Sequence, residues 1–288
     1  MRKITLPISE AVKKALPRNK AGALTHWYLF DSPAALGDYA AEGKNLESNR
    51  DSWSGNKTGA EAVQCCHQGD LAGVPASDAL LASFERFAFA SSRAQWVDSF
   101  VGAAPNVPAF IAGQPLAMRQ RVKVPHAAAP LAVIVDLTTS AGIDALTIER
   151  RGAAILALVR MLAGRRPVEL WAGCCMEAQG GDNAFGAYAR IDTSPLDLAR
   201  AAFVLTSPAF SRGLCYKMGY AREEFGGRWP FNNHDISRTH MADLILPAMP
   251  HVTDALCIPP AHQDDHLSKN PEGWVLGKLE ALEASAAA

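Results

Sequence analysis

Apolar residues from Leu131 to Val135 form an unbroken run between Pro130 and Asp136, the pattern of a short strand buried on both faces. Behind it, Ile148, Ile155, Leu156, Val159 and Leu162 recur at helical spacing with Arg150, Arg151 and Arg160 between them, predicting a helix that ends at Gly164. Only Arg165, Arg166 and Pro167 separate that helix from a second apolar strand, Val168 to Ala172. Strand, helix and strand with tight connections predict a βαβ unit with parallel pairing and a right-handed crossover. Alternation then sets in. Phe185, Ala187, Ala189 and Ile191 alternate with Gly186, Tyr188, Arg190 and Asp192 beyond the turn Gly180-Gly181-Asp182-Asn183, which predicts a hairpin whose second arm lies at the sheet edge. Pro195 to Leu205 and Ser207-Pro208 onward to Tyr220 read as helices, and Leu244 to Leu246 and Ala255 to Ile258 as late strands. Pro271 to Ala284 reads as a terminal amphipathic helix.

Residues 1–125 are patterned differently. Trp27 to Phe30 is a short aromatic strand leading through Asp31-Ser32-Pro33, a helix cap with proline in the first turn, into Ala34 to Ala41. Thr58 caps a helix from Gly59 to Gln68 that Gly69 ends, and Ala79 to Arg86 is a further helical stretch. Pro105-Asn106-Val107-Pro108 introduces Ala109 to Ala112, and Gly113-Gln114-Pro115 leads into Leu116 to Gln120. The pattern predicts a helical N-terminal region, 1–125, packed on an α/β domain, 126–288, with Lys123 to Pro130 as the nearest thing to a boundary. The fold class is α/β: a Rossmann-like, mostly parallel central sheet with helices on both faces and a helical N-terminal extension.

Chemistry concentrates at the end of the first strand. Asp136, Thr138 and Ser140 alternate as Asp-x-Thr-x-Ser, so one carboxylate and two hydroxyls point the same way where open α/β sheets place ligands. Three such oxygens suit a hard cation such as Mg²⁺. The same residues also cap a following helix and satisfy loop amides in many proteins. The stretch Leu131 to Trp171, with Asp136-Leu137-Thr138-Thr139-Ser140, Arg151-Gly152-Ala153-Ala154 and Val168-Glu169-Leu170-Trp171, resembles the opening of a von Willebrand factor A domain. The resemblance implies a metal-ion-dependent adhesion site holding Mg²⁺ at Asp136, Thr138 and Ser140. The family's threonine from a later loop is matched by Thr193, in Thr193-Ser194-Pro195-Leu196-Asp197, while its second aspartate has no counterpart: Asp243 and Asp254 stand at strand beginnings. Partners implied by the family include AAA+ ATPases of the MoxR type. Trp53-Ser54-Gly55-x-Lys57-Thr58 and Val107-Pro108-Ala109-Phe110-x-Ala112-Gly113-x-Pro115 are similar to segments of an uncharacterised family common in tailed-phage genomes, which implies phage origin and a host-cytoplasmic setting.

Composition narrows the remaining classes. With 288 residues, 49% hydrophobic and 20% charged, the chain has the make-up of a globular protein, and a net charge of −1 argues against nucleic acid as the main ligand. No run approaches the roughly 18 apolar residues of a membrane span, and Met1 to Glu10 lacks a signal-peptide core, so the expectation is a cytoplasmic protein without a membrane partner. Six cysteines, Cys65-Cys66, Cys174-Cys175, Cys215 and Cys257, fit no disulfide framework or zinc spacing and read as reduced, mostly buried thiols. No nucleophile elbow, phosphate loop or metalloprotease motif occurs. His234 and Asp235 in a polar loop, and His262, Asp264, Asp265 and His266 near Pro259-Pro260, are the remaining titratable clusters. Three readings follow: a non-catalytic protein that holds a protein partner at the Asp136 edge, a phage structural or assembly protein that self-associates and has no metal site, and a metal-dependent hydrolase.

Overall fold

The computed structural model describes residues 1–7, 9, 24–43, 46, 49–84, 92–125, 130–140, 142–164, 166–177, 183–216, 218, 235–262 and 266–287. Two compact units emerge, one formed by Met1–Ser83 with Pro130–Ala288 and the other by Phe84–Ala129. The division at 125/126 is therefore corrected. The amino-terminal segment contributes strands β1 (Arg2–Pro7) and β2 (Leu24–Phe30) to the larger unit's own sheet. The reason is burial: Trp27, Tyr28, Leu29 and Phe30 are at most 1% exposed, so side chains on both faces of β2 are covered.

The larger unit is α/β with a mixed six-stranded sheet in the order β1-β2-β8-β7-β6-β9, where β6 is Leu131–Asp136, β7 Val168–Glu177, β8 Asn183–Ile191 and β9 Ala255–Ile258. Strand pairs β2–β8, β6–β7 and β6–β9 run parallel, while β1–β2 and β7–β8 run antiparallel. The βαβ unit and the hairpin stand where their patterns place them. Strand β8, however, is interior, because β2 pairs along its outer side. Leu244 to Leu246 is not a strand either: a helix, α7 (Asp235–Ile245), runs into a 3₁₀ turn, Leu246–Ala248. Its Leu244 and Ile245 pack on Trp27, Leu29, Ala132, Ile134, Trp171 and Tyr188, one face of the sheet.

Helices α1 (Pro33–Ala41), α2 (Gly59–Gln68) and α3 (Val74–Phe84) precede the smaller unit. Ser32 caps α1 by accepting from the Ala35 amide, and Thr58 and Glu61 close a reciprocal capping box on α2, which Gly69 ends at φ 79°.

The smaller unit is a β-ribbon. Strand β3 (Ser92–Ser99) pairs antiparallel with β5 (Met118–Pro125), and the two-residue β4 (Ala104–Pro105) pairs on the other side of β5. Between β4 and β5 sits α4 (Val107–Ile111), capped by the Asn106 side chain, which also donates to Asp98 at 2.9 Å. Met118 to Gln120 thus opens a strand, not the helix the turn signals suggest.

After β6, α5 (Ala145–Ala163) begins at the cap Asp144, whose carboxylate accepts from the Thr147 amide at 2.6 Å. It crosses α6 (Leu198–Thr206) closely: a methyl on Gly152 would stand 2.0 Å from the Leu205 carbonyl oxygen. A π-helical segment, Ala209–Cys215, follows α6, and helices α8 (His266–Lys269) and α9 (Pro271–Ala287) close the chain. No helix among the described residues is long and apolar enough to cross a membrane.

Candidate functional site

Asp136 ends β6 and is wholly buried. Its Oδ1 accepts from the Thr138 amide at 2.9 Å, the Thr138 hydroxyl at 2.5 Å and, more loosely, the Cys175 amide at 3.4 Å. Among the described residues its Oδ2 has no hydrogen-bond partner. Burial lifts this carboxyl to about 6, against the opposing pull of the Thr138 hydroxyl, the two amides and the Arg151 charge. Along the sheet Asp136 is level with Gly173 on β7 and, beyond it, Tyr188 on β8. The glycine leaves the space between them without a side chain, and the buried Tyr188 hydroxyl is also unpartnered among the described residues. Its phenol is pushed well above the ordinary range, chiefly by burial and then by the Asp136 charge.

Thr138 is committed to the fold. Besides contacting Asp136, its hydroxyl lies 3.0 Å from the Cys175 carbonyl and accepts from the Cys175 amide at 3.1 Å, tying the chain after β6 to β7. The Thr139 backbone continues the sheet by a parallel bridge to Ala261, and its hydroxyl is buried without a partner. Ser140 is half-buried, and its hydroxyl makes a long 3.5 Å contact with the Gly142 amide.

Thr193 does not join this group. Because β7 and β8 are antiparallel, the residues after β8 return to the end of the sheet where β6 and β7 begin, and the Thr193 hydroxyl bonds the Val168 carbonyl. Val168 is paired with Leu131, five residues before Asp136, which is roughly 16 Å along a strand. The ligand set implied by the von Willebrand likeness is thereby corrected. What remains around Asp136 is one buried carboxylate oxygen, a threonine engaged elsewhere and a serine on the loop, a donor set that does not fit Mg²⁺. Among the described residues no three His, Cys, Asp or Glu side chains cluster to hold a metal. His234 and the segment 263–265 lie outside the described residues.

A guanidinium that sequence reasoning passed over secures the loop. Arg212, 1% exposed on the π-helical segment, donates to the carbonyls of Ser140 at 3.1 Å, Ile143 at 2.5 Å and Trp53 at 3.1 Å, and stacks 4.7 Å from the Trp53 ring. Tyr216 adds a bond from its hydroxyl to the Thr139 carbonyl at 2.6 Å. Burial lowers Arg212 and raises Tyr216. Trp53-Ser54-Gly55 was the available signal: Gly55 has φ 77°, and a methyl added to it would stand 3.2 Å from the Ala209 nitrogen, so the turn packs closely on the start of the π-helical segment.

In the smaller unit the notable chemistry is apolar. Val97, Phe100, Val101, Val107, Phe110, Ile111 and Leu116 are exposed, Phe100, Val101, Phe110 and Ile111 by 71–79%. They fall within the connection from β3 to β5 and its flanks. Sequence offered a signal here too, since these residues interrupt a turn-rich stretch of Gly, Pro and Asn in which apolar side chains have no strand or long helix to bury them.

Fold and surface define an α/β protein carrying an inserted β-ribbon with an apolar end. The chain belongs to the family DUF7192, described as a domain of unknown function, which matches residues 22–281. No curated protein and no solved structure matches it.

Proposed function

We propose that the protein is a non-catalytic protein–protein interaction module, with the α/β unit as scaffold and the apolar end of the inserted ribbon as its docking element. The observation carrying this reading is the exposure of Phe100, Val101, Phe110 and Ile111 within twelve residues of sequence. Aromatic and aliphatic side chains left in water at that density are characteristic of surfaces a partner covers.

The larger unit supports a Rossmann-type, von Willebrand A-like reading through the β6–α5–β7 unit and the position of Asp136 at the carboxyl end of β6. That likeness makes an AAA+ ATPase of the MoxR type one candidate partner, and the phage-like segments make the cytoplasm of an infected host the setting. A second reading, a structural or assembly protein with no metal site, draws support from the burial of Asp136 and the distance of Thr193.

The test is capture of partners by the immobilised protein against its Phe110→Ser/Ile111→Ser variant, with circular dichroism verifying that both are folded. Loss of a specific partner in the variant is the expected result. Identical capture profiles would remove the ribbon end as the docking element.

A further inference from the structure

The same apolar end has a charge context that selects its occupant. Residues 92–125 contain four basic side chains, Arg93, Arg119, Arg121 and Lys123, and one acid, Asp98, a balance of +3. Subtracting them from the chain's 28 basic and 29 acidic residues leaves 24 and 28, a balance of −4 for everything else. A nearly neutral protein is thus split into a basic insertion and an acidic remainder. Arg119, Arg121 and Lys123 all belong to strand β5. Arg119 pairs with Asp98 at 3.5 Å, a contact exposed on both sides that neutralises little.

Area points the same way. Side chains of phenylalanine size carry about 150–250 Å² each, and Phe100 and Phe110 alone leave about three-quarters of theirs in water beside Val101 and Ile111, an apolar exposure on the order of several hundred Å², the scale at which surface patches mark interaction sites.

We infer that the ribbon of one copy docks, through Phe100, Val101, Phe110 and Ile111 and the basic strand β5 with its Arg119, onto the acidic larger unit of a second copy. This rests on the interaction reading above and names the partner. Ribbon against ribbon would set +3 against +3 and is disfavoured; ribbon against acidic unit is attractive. Such a contact joins two different surfaces, so it closes as a reciprocal dimer where the copies are related by a two-fold, as a larger ring at other rotations, and otherwise adds copies head to tail. Attraction between the opposite net charges raises the encounter rate and weakens as salt screens it.

The experiment is sedimentation velocity of the full chain from low micromolar to about 100 µM, at low and at high salt, on wild type, Phe110→Ser/Ile111→Ser and Arg119→Glu. Expected is concentration-dependent association to a dimer or to larger species. The apolar double variant should weaken association by at least tenfold, and Arg119→Glu and high salt by several-fold. Association left intact in both variants overturns docking through the ribbon. A protein monomeric at every concentration also overturns it. If that monomer still captures a foreign protein in a way the double variant loses, the interaction reading survives with another partner; if it captures none, both fall.

Discussion

Arg212 holds the Ser140 carbonyl at 3.1 Å, and through that one guanidinium the loop following Asp136 is bound to the Trp53 turn and to the π-helical segment. Within the larger unit, the loop a metal-adhesion reading treats as a binding edge is in fact braced from behind.

Replacing Arg212 with alanine leaves the carbonyls of Ser140, Ile143 and Trp53 without their donor in a buried setting. Each loss of that kind costs about 1–3 kcal/mol, so the expected destabilisation is about 3 kcal/mol or more, seen as a lower midpoint in urea unfolding. Arg212→Lys should recover only part of it, because an ammonium cannot reproduce the planar fork. Full stability in the alanine variant would show that the brace is dispensable.

Asp136 makes stability depend on pH with a definite sign. Its folded value of about 6 lies above the unfolded 3.8, so between them the folded state keeps a proton that the unfolded chain has lost. Its contribution is full below pH ~4 and declines as pH rises through ~6, by up to about 3 kcal/mol, and is constant beyond. Asp136→Asn retains an oxygen to accept from Thr138 and removes the buried charge. The variant should lack that decline and be at least as stable as wild type above pH 6, which unfolding curves at pH 5 and 8 will check.

Mg²⁺ or Mn²⁺ titrated by calorimetry to millimolar concentration should give no site whose heat disappears in Asp136→Ala. Thr193→Ala, at the far end of the sheet, should leave the Asp136 surroundings unchanged in any spectroscopic probe of them. Metal binding abolished by the Asp136 change would reinstate the adhesion-site reading.

Gly152→Ala places a methyl 2.0 Å from the Leu205 carbonyl, backbone against backbone, where neither helix yields cheaply. The expected loss is several kcal/mol, although alanine is the better helix former by about 1 kcal/mol at an exposed site. Thermal unfolding of the two proteins decides between them.

Local chemistry was legible in the sequence. Leu131 to Val135 announced a strand by being apolar throughout; Ser32 and Thr58 announced helix starts because a side-chain oxygen must satisfy free amides wherever a helix begins. Those are short-range requirements, met within three or four residues of the chain. The α/β class followed from them.

Partnership across the sheet was decided only in three dimensions. Nothing local tells β8 that β2 will close its outer side, since an alternating strand suits an edge and an interior position alike. Thr193 looked like a ligand because a helix follows it, yet the antiparallel turn between β7 and β8 carried it to the wrong end of the sheet. Arg212 gave no warning: a charged residue becomes a brace only when folding brings three carbonyls from distant segments around it and excludes water. The sequence by itself determined where strands and helices begin and which side chains seek burial, for those forces act within a few residues. Strand order, the isolation of Asp136 and the exposed end of the ribbon came from tertiary packing, because pairing and burial depend on which distant segment arrives.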